Sequence, residues 1–207
     1  MTIMEKKTYI LIVVSIINLG VIFGQVAPIN AQTFIDSRDG KSYKTVKIGE
    51  QTWMAENLNF AIPENSWCYA SADSNCAKYG RLYNWDAALN SCPTGWHLPS
   101  DIEWKKLEGK MGIADSVLDI VGYRGTNQGM RLKVEGNSGF NALMAGYRLW
   151  WDGSFLYLGS YTDFWTSTES DKEEAWLRDF SIYDATIYRN RINKKYGNSV
   201  RCIQDSK

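Results

Sequence analysis

Histidine occurs once in these 207 residues, at His97, and that scarcity removes several chemistries. A zinc site needs more imidazoles or paired thiols, and no C-x-x-C is present to supply them. Net charge is missing too, because 23 basic and 23 acidic side chains cancel. Neither a nucleic-acid footprint nor an electrostatic membrane patch is expected from such a balance. Beyond residue 23 no stretch is apolar enough to span a membrane, and no cysteine stands near residues 20–32 to carry a lipid.

The one long apolar run, residues 9–23, follows Lys6 and Lys7 and leads into small residues ending at Ala31. A basic start, an apolar centre and a small-residue site describe a secretory signal peptide over residues 1–31. The rival reading is an uncleaved anchor, for which the run falls short of the roughly 20 residues of a bilayer crossing. Residues 32–207 then form a single domain, secreted or held at the cell envelope, with no membrane span once the signal is removed. Four cysteines, Cys68, Cys76, Cys92 and Cys202, all follow the signal. An even number in an exported chain reads as two disulfides, with three possible pairings. The favoured pairing is Cys68–Cys76 as a local clip and Cys92–Cys202 as a long closure. Chain entropy makes them worth about 2.5 and about 4.5 kcal/mol respectively.

Local patterns divide the domain. Around "RDGK" (residues 38–41) a turn signal separates two extended runs, with Tyr43, Val46, Ile48 and Trp53 in a mostly alternating context, the pattern of an edge hairpin. Residues 62–80, rich in Ser, Asn and Asp, read as a loop. Leu82, Trp85 and Leu89 stand three and four apart, which predicts a helix of two to three turns. Ser100 followed by Glu103 forms a capping box that opens a second helix with Trp104, Leu107 and Met111 on one face. Glu103, Lys105, Lys106 and Glu108 are assigned elsewhere on it. The glycine-rich stretch after Gly112 predicts long loops, brief strands and one short helical piece near residues 115–121. Alternation over residues 176–192, with a turn at Asp184-Ala185, and "NSVRCIQ" predict strands. Two helices in the first half and an antiparallel sheet in the second make the fold class α+β.

Candidate sites are few. A catalytic histidine needs a nucleophile or carboxylate partner, and none is nominated for His97, which is assigned a structural role. The acids form no recognisable pair, and Glu169, Glu173 and Glu174 read as a solvated turn. Asp152 and Asp163 are too few for a calcium cage. No metal site, cofactor or catalytic residue is therefore expected. Aromatics are the surplus, at 14% with nine Trp and twelve Tyr, enough for a filled core and also for a sugar-binding surface. On a strand Trp150 and Trp151 would point to opposite faces, so one is expected inside and the other either shielded by a loop or exposed to a ligand. Around them Arg148, Asp152, Tyr157 and Tyr161 complete a candidate binding patch.

"GEQTWMAENLN", "KYGRLYNWDAA", "CPTGWHLPSDIEWKKL", "GFNALMAGYR", "FWTSTES" and "SVRC" stand in the order typical of the Fibrobacter succinogenes major paralogous domain, over nearly all of residues 34–204. The chain resembles that bacterial family, itself similar to the C-type-lectin-like and formylglycine-generating-enzyme fold. The resemblance implies an exported, C-type-lectin-like α+β domain and brings no established activity. It raises two inheritances to test on the letters. Formylglycine-forming oxidases carry a reactive cysteine pair in the C-terminal segment, where only Cys202 stands here. Calcium-dependent lectins use E-P-N and W-N-D tripeptides, to which "IPEN" (62–65) and "YNWD" (83–86) are near-misses outside the loop region. The reading that results is a non-catalytic interaction module for an extracellular glycan or an envelope protein; a purely structural envelope domain is the alternative, and an enzyme of the formylglycine-generating type without its reactive cysteine pair ranks last.

Overall fold

The computed structural model describes residues 32–206; the signal peptide assigned to residues 1–31 lies outside them. Strand β1 (Gln32–Ile35) pairs antiparallel with β2 (Ser42–Ile48), Phe34 opposite Tyr43. The turn between them forms as expected: the Asp36 carboxylate accepts from the Arg38 backbone N–H at 3.0 Å and from its guanidinium at 2.7 Å. Gly40 supplies the left-handed φ of +75°. β2 turns into β3 (Gln51–Met54). The C-terminal strand β14 (Ile203–Gln204) then lies between β3 and β6 (Trp96–His97), completing a five-stranded sheet in the order β1-β2-β3-β14-β6.

A second sheet of seven strands runs β4 (Ser66–Trp67), β5 (Leu82–Tyr83), β13 (Asn198–Ser199), β10 (Tyr161–Glu169), β11 (Glu174–Ser181), β12 (Ile187–Asn193) and β7 (Gly122–Arg124). Only the β10–β13 pairing is parallel. A small hairpin, β8 (Tyr147–Arg148) with β9 (Phe155–Leu156), stands apart. The helices are α1 (Asp73–Tyr79), α2 (Trp85–Leu89), α3 (Asp101–Lys110) and α4 (Gln128–Leu132). Mixed helices and antiparallel sheets make the domain α+β, as expected.

The first half holds three helices rather than two. α1 arises inside the stretch read as a loop, where the Cys68–Cys76 bridge pins its middle. It ends at Gly80, φ +77°, where a β-carbon would come within 2.7 Å of Asn57 Cβ. The helix predicted from Leu82 is shorter than its apolar spacing suggests. Leu82 and Tyr83 pair with Ser199 and Asn198 on one side and with Trp67 and Ser66 on the other. Those strand hydrogen bonds outweigh a three-four spacing that only two turns could use. Helix therefore begins at Trp85, capped by Asn84 Oδ1 accepting from the Ala87 N–H at 3.0 Å. α4 was not anticipated. The piece near residue 115 is a single 3-10 turn, Asp115–Val117.

Two apolar clusters fill the domain. On β10 the alternation of a strand sends Phe164 to one and Trp165 to the other. The first lies under α3, where the Trp104 ring meets Trp53 at 5.1 Å and Phe140 at 5.6 Å. The second gathers Tyr83, Trp85, Trp96 and Leu177 around Cys202. Both favoured disulfides form, Cys68–Cys76 and Cys92–Cys202.

Glu108 departs from its assignment to the polar side of α3, because it is fully buried. It lies between Arg124, whose Nη2 donates to Oε1 at 2.9 Å, and Arg178. Two turns earlier Asp101 accepts from Arg189 Nη2 at 2.8 Å and pairs with Arg178 Nη1 at 2.8 Å and Lys105 Nζ at 2.7 Å. The sheet face carrying Arg178 and Arg189 is thus bolted to α3 by charge as well as by apolar contact.

Candidate functional site

The β8–β9 hairpin carries the candidate patch. Gly146, φ +65°, starts it, with no room for a side chain: a β-carbon would lie 2.3 Å from the Leu156 carbonyl oxygen. Reciprocal backbone bonds between Arg148 and Gly197, 2.8 and 2.9 Å, dock it beside β13. Trp150, Trp151 and Asp152 occupy its turn. Because they are not on a strand, alternation does not apply, and both indoles reach solvent, 44% and 56% exposed. The expectation that one would be buried is corrected. Their rings meet edge to face at 6.0 Å.

From Trp151 the aromatic contacts continue across three other segments. Trp151 meets Tyr196 at 5.6 Å, Tyr196 meets Tyr147 at 6.3 Å, and Tyr147 meets Tyr157 at 5.6 Å. Tyr157 meets Tyr161 at 5.1 Å, and Tyr161 meets Tyr183 at 5.9 Å in the β11–β12 turn. Seven rings form one ribbon. Such tilted and edge-on pairs are the favoured arrangement of aromatic quadrupoles. Tyr157 holds a left-handed φ of +63°, costly for a bulky residue. It is kept there by its carbonyl, which accepts from the Ser160 and Tyr161 N–H groups at 3.0 and 3.1 Å.

Sequence reasoning placed Trp150, Trp151, Tyr157 and Tyr161 here and missed Tyr147, Tyr183 and Tyr196. Tyr147 lies next to Arg148, so a strand-by-strand reading could have found it; Tyr183 and Tyr196 sit in turns with no local signal. The two polar members of the patch have engagements of their own. The Arg148 guanidinium stacks over Trp67 at 4.2 Å, and Asp152 Oδ1 accepts from Ser154 N and Oγ at 2.9 and 2.8 Å. Lys195 Nζ sits over the Trp150 ring at 5.1 Å, a cation at the ribbon's end.

Beneath the tyrosine end lies a carboxyl pair that the sequence did not reveal. Asp163 on β10 stands directly opposite Asp179 on β11, and the two are joined carboxyl to carboxyl. Asp163 is buried, and burial holds it well above the ordinary carboxylate range. Burial likewise pushes Asp179 up, to about 6, with Asp184 adding to the rise. This corrects the statement that no acids pair. Carboxyls joined to each other differ from the separated pair of a two-carboxylate hydrolase, which holds a water or sugar oxygen between its groups.

His97 is the other correction, because it has two carboxylate partners. Nε2 lies 2.8 Å from Glu103 and Nδ1 lies 2.6 Å from Asp205. Glu103 also closes the capping box, accepting from the Ser100 N–H at 2.7 Å. Ser100 Oγ faces that carboxylate rather than the imidazole, so no nucleophile is assembled. The ring fastens the start of α3 to the C-terminal strand, a structural role. Despite partial burial, hydrogen bonds to Asp205 and Glu103 raise its pKa above 6.5. A raised folded-state value means stabilisation that is complete below 6.5 and lost as pH rises through the folded value. We expect the single imidazole NMR titration to have a midpoint above 6.5, and Asp205→Asn to lower it; a midpoint at or below 6.5 contradicts the clasp.

No three His, Cys, Asp or Glu side chains converge as a metal cluster among the described residues. The near-miss tripeptides do meet, Asn84 Nδ2 donating to Asn65 Oδ1 at 2.9 Å, but Asn84 Oδ1 caps α2. All four cysteines are in disulfides. A concavity of about 610 Å³ opens beside the ribbon rather than under it; Met130, Lys133, Met144 and Ile182 line it, and Tyr183 belongs to both. The convergent exposed aromatics belong to the ribbon.

No helix among the described residues is long and apolar enough to cross a membrane. No curated protein and no solved structure matches the chain. The family described as the Fibrobacter succinogenes major domain matches residues 46–204, most of the chain and every element from within β2 to β14. The chain belongs to the Fibrobacter succinogenes major domain family.

Proposed function

We propose that this domain is an exported, non-catalytic recognition module that binds an extracellular glycan along the aromatic ribbon. The carrying observation is the ribbon itself: seven rings in unbroken contact, with Trp150, Trp151, Tyr157 and Tyr183 exposed. Large aromatics are normally mostly buried, and contiguous exposed ones mark interaction surfaces. The rings tilt between 44° and 88° to their neighbours, presenting faces and edges in turn. Sugar C–H faces pack on the former, while the Tyr hydroxyls reach the sugar's own hydroxyls. Both disulfides support an oxidising compartment and hence the secretion signal read at residues 1–31. The long bridge and the C-terminal strand inserted beside β3 support the C-type-lectin-like assignment.

A glycan array probed with the purified domain tests this. Trp151→Ala is expected to weaken retention of the best sugar about tenfold or more, while Tm stays within about 1 °C because the indole is at the surface. Retention unchanged in Trp150→Ala and in Trp151→Ala removes the ribbon. An array without hits, alongside a defined envelope protein bound through these rings, favours the protein-partner or structural alternative.

A further inference from the structure

We propose that the Asp163–Asp179 pair makes the ribbon acid-responsive: uncharged in mild acid it seats the tyrosine end tightly, and once ionised it loosens Tyr147, Tyr161 and Tyr196. This rests on the ribbon being the binding surface. The geometry comes first. The two carboxyls are cross-strand partners on β10 and β11, one of them buried. Two carboxyls in contact hold at least one proton unless a cation intervenes. The groups facing them are neutral on every element packed against that face. Tyr161 comes from β10, Tyr188 from β12 opposite Asp179, and Tyr123 from β7 beyond it. Tyr147 and Tyr196 come from above, each raised in pKa by burial first and then by the charge of Asp163.

On the remaining side the parallel register of Phe164 with Ser199 puts Asn198 beside Asp163 on the same face. Asn198 is fully buried, and neither its side-chain nitrogen nor its oxygen has a partner; Asp163 Oδ1 has none either. Among the described residues, the charge that acts on the pair from outside is that of Asp184, which is also negative. Arg178 and Arg189 lie close along the strands but on the opposite face, bound to Asp101. Lys133 Nζ is held by the Ser181 and Asp184 carbonyls. A carboxylate formed here is therefore buried without a counter-charge, and water reaches it only if the rings above move.

The sign follows from the raised folded-state value: stabilisation by this pair is complete below 3.8 and is lost as pH rises through about 6. The experiment compares wild type with Asp179→Asn, and with Asp163→Asn should the first not fold, by Tm and tyrosine emission from pH 4.5 to 8. His97 titrates in all three and cancels in the difference. Wild type is expected to lose about 5 °C relative to Asp179→Asn between pH 5 and 7.5, with tyrosine emission changing over the same range. Parallel curves overturn the proposal, as does full recovery of the wild-type Tm at pH 7.5 by millimolar calcium, which would make a cation the neutralising partner. Affinity for the array's best glycan is then read at both pH values, and wild type alone should bind more weakly at pH 7.5. A ribbon that retains no glycan at any pH sinks the binding reading by itself, since tyrosine emission still reports the loosening.

Discussion

Arg178→Met is expected to cost about 3–5 kcal/mol, because it takes the shared cation away from two buried carboxylates at once. Arg178 bridges Glu108 and Asp101, and neither Arg178 nor Glu108 has solvent-exposed side-chain surface. Methionine replaces the volume but brings no charge, so Glu108 keeps Arg124 alone and Asp101 keeps Arg189 and Lys105. For a domain of this length the loss corresponds to a Tm lower by about 10 °C. Urea unfolding measures it directly, and a cost under about 1 kcal/mol would contradict the network. The double variant Glu108→Gln with Arg178→Met should cost less than the sum of the two single variants, since the pair is coupled. Acid adds a second handle. Although burial opposes it, hydrogen bonds from Arg189 and the nearby Arg178 and Lys105 charges hold Asp101 far below the ordinary carboxylate range. A depressed folded-state value means stabilisation that is present above 3.8 and lost as pH falls toward the folded value. Arg178→Met should therefore unfold at a higher pH during acid titration.

Replacing both Cys92 and Cys202 with alanine is expected to cost between about 4 and 5 kcal/mol, against about 2.5 kcal/mol for Cys68 and Cys76 together. The difference lies in the loop each bridge closes: a sequence separation of 110 in one case and 8 in the other. The long bridge joins the segment before β6 to the residue before β14, so it constrains nearly everything between α2 and the end of the fold. Cys202 is also fully buried in the second apolar cluster, and its removal leaves a gap there. Denaturant midpoints of the two double variants, each with the other bridge intact, give the ranking. Equal losses would mean that native packing, not chain entropy, sets the value of both bridges. Free thiols at these two positions in native protein would end the account of a cross-linked scaffold.

Legibility from the letters varied with the range of the interaction responsible. The capping box of Ser100 and Glu103 and the Trp104–Leu107–Met111 face are complete within about three turns, and the structure reproduces α3 from them. The "RDGK" turn and the β10–β11–β12 meander are similarly local. Where the reading failed, a distant partner intervened. Leu82 had a helical spacing but was claimed by strands 15 and 117 residues away in sequence, at Trp67 and Ser199. Glu108 had the look of a surface glutamate until Arg124 and Arg178 closed over it.

The candidate site shows the same division. Trp150, Trp151, Tyr157 and Tyr161 stand together in one glycine-bounded stretch, so their grouping was visible. That Tyr196 joins Trp151 to Tyr147 was not, because the link depends on the backbone docking of Arg148 against Gly197. Asp163 and Asp179 are unremarkable as letters; only the register of two strands sets them face to face.

The amino-acid sequence by itself determined the family, the α+β class, the favoured cysteine pairing, the main helix and the strands that follow it. Each of these depends on spacing, capping or turn chemistry expressed over a short window, or on an ordered set of motifs. Tertiary structure alone decided that both tryptophans face solvent, that seven rings from separate loops meet, and that a carboxyl pair and a glutamate are enclosed. The physical reason is that burial and charge pairing are set by strand register and loop docking between residues far apart in the chain, to which local periodicity is blind.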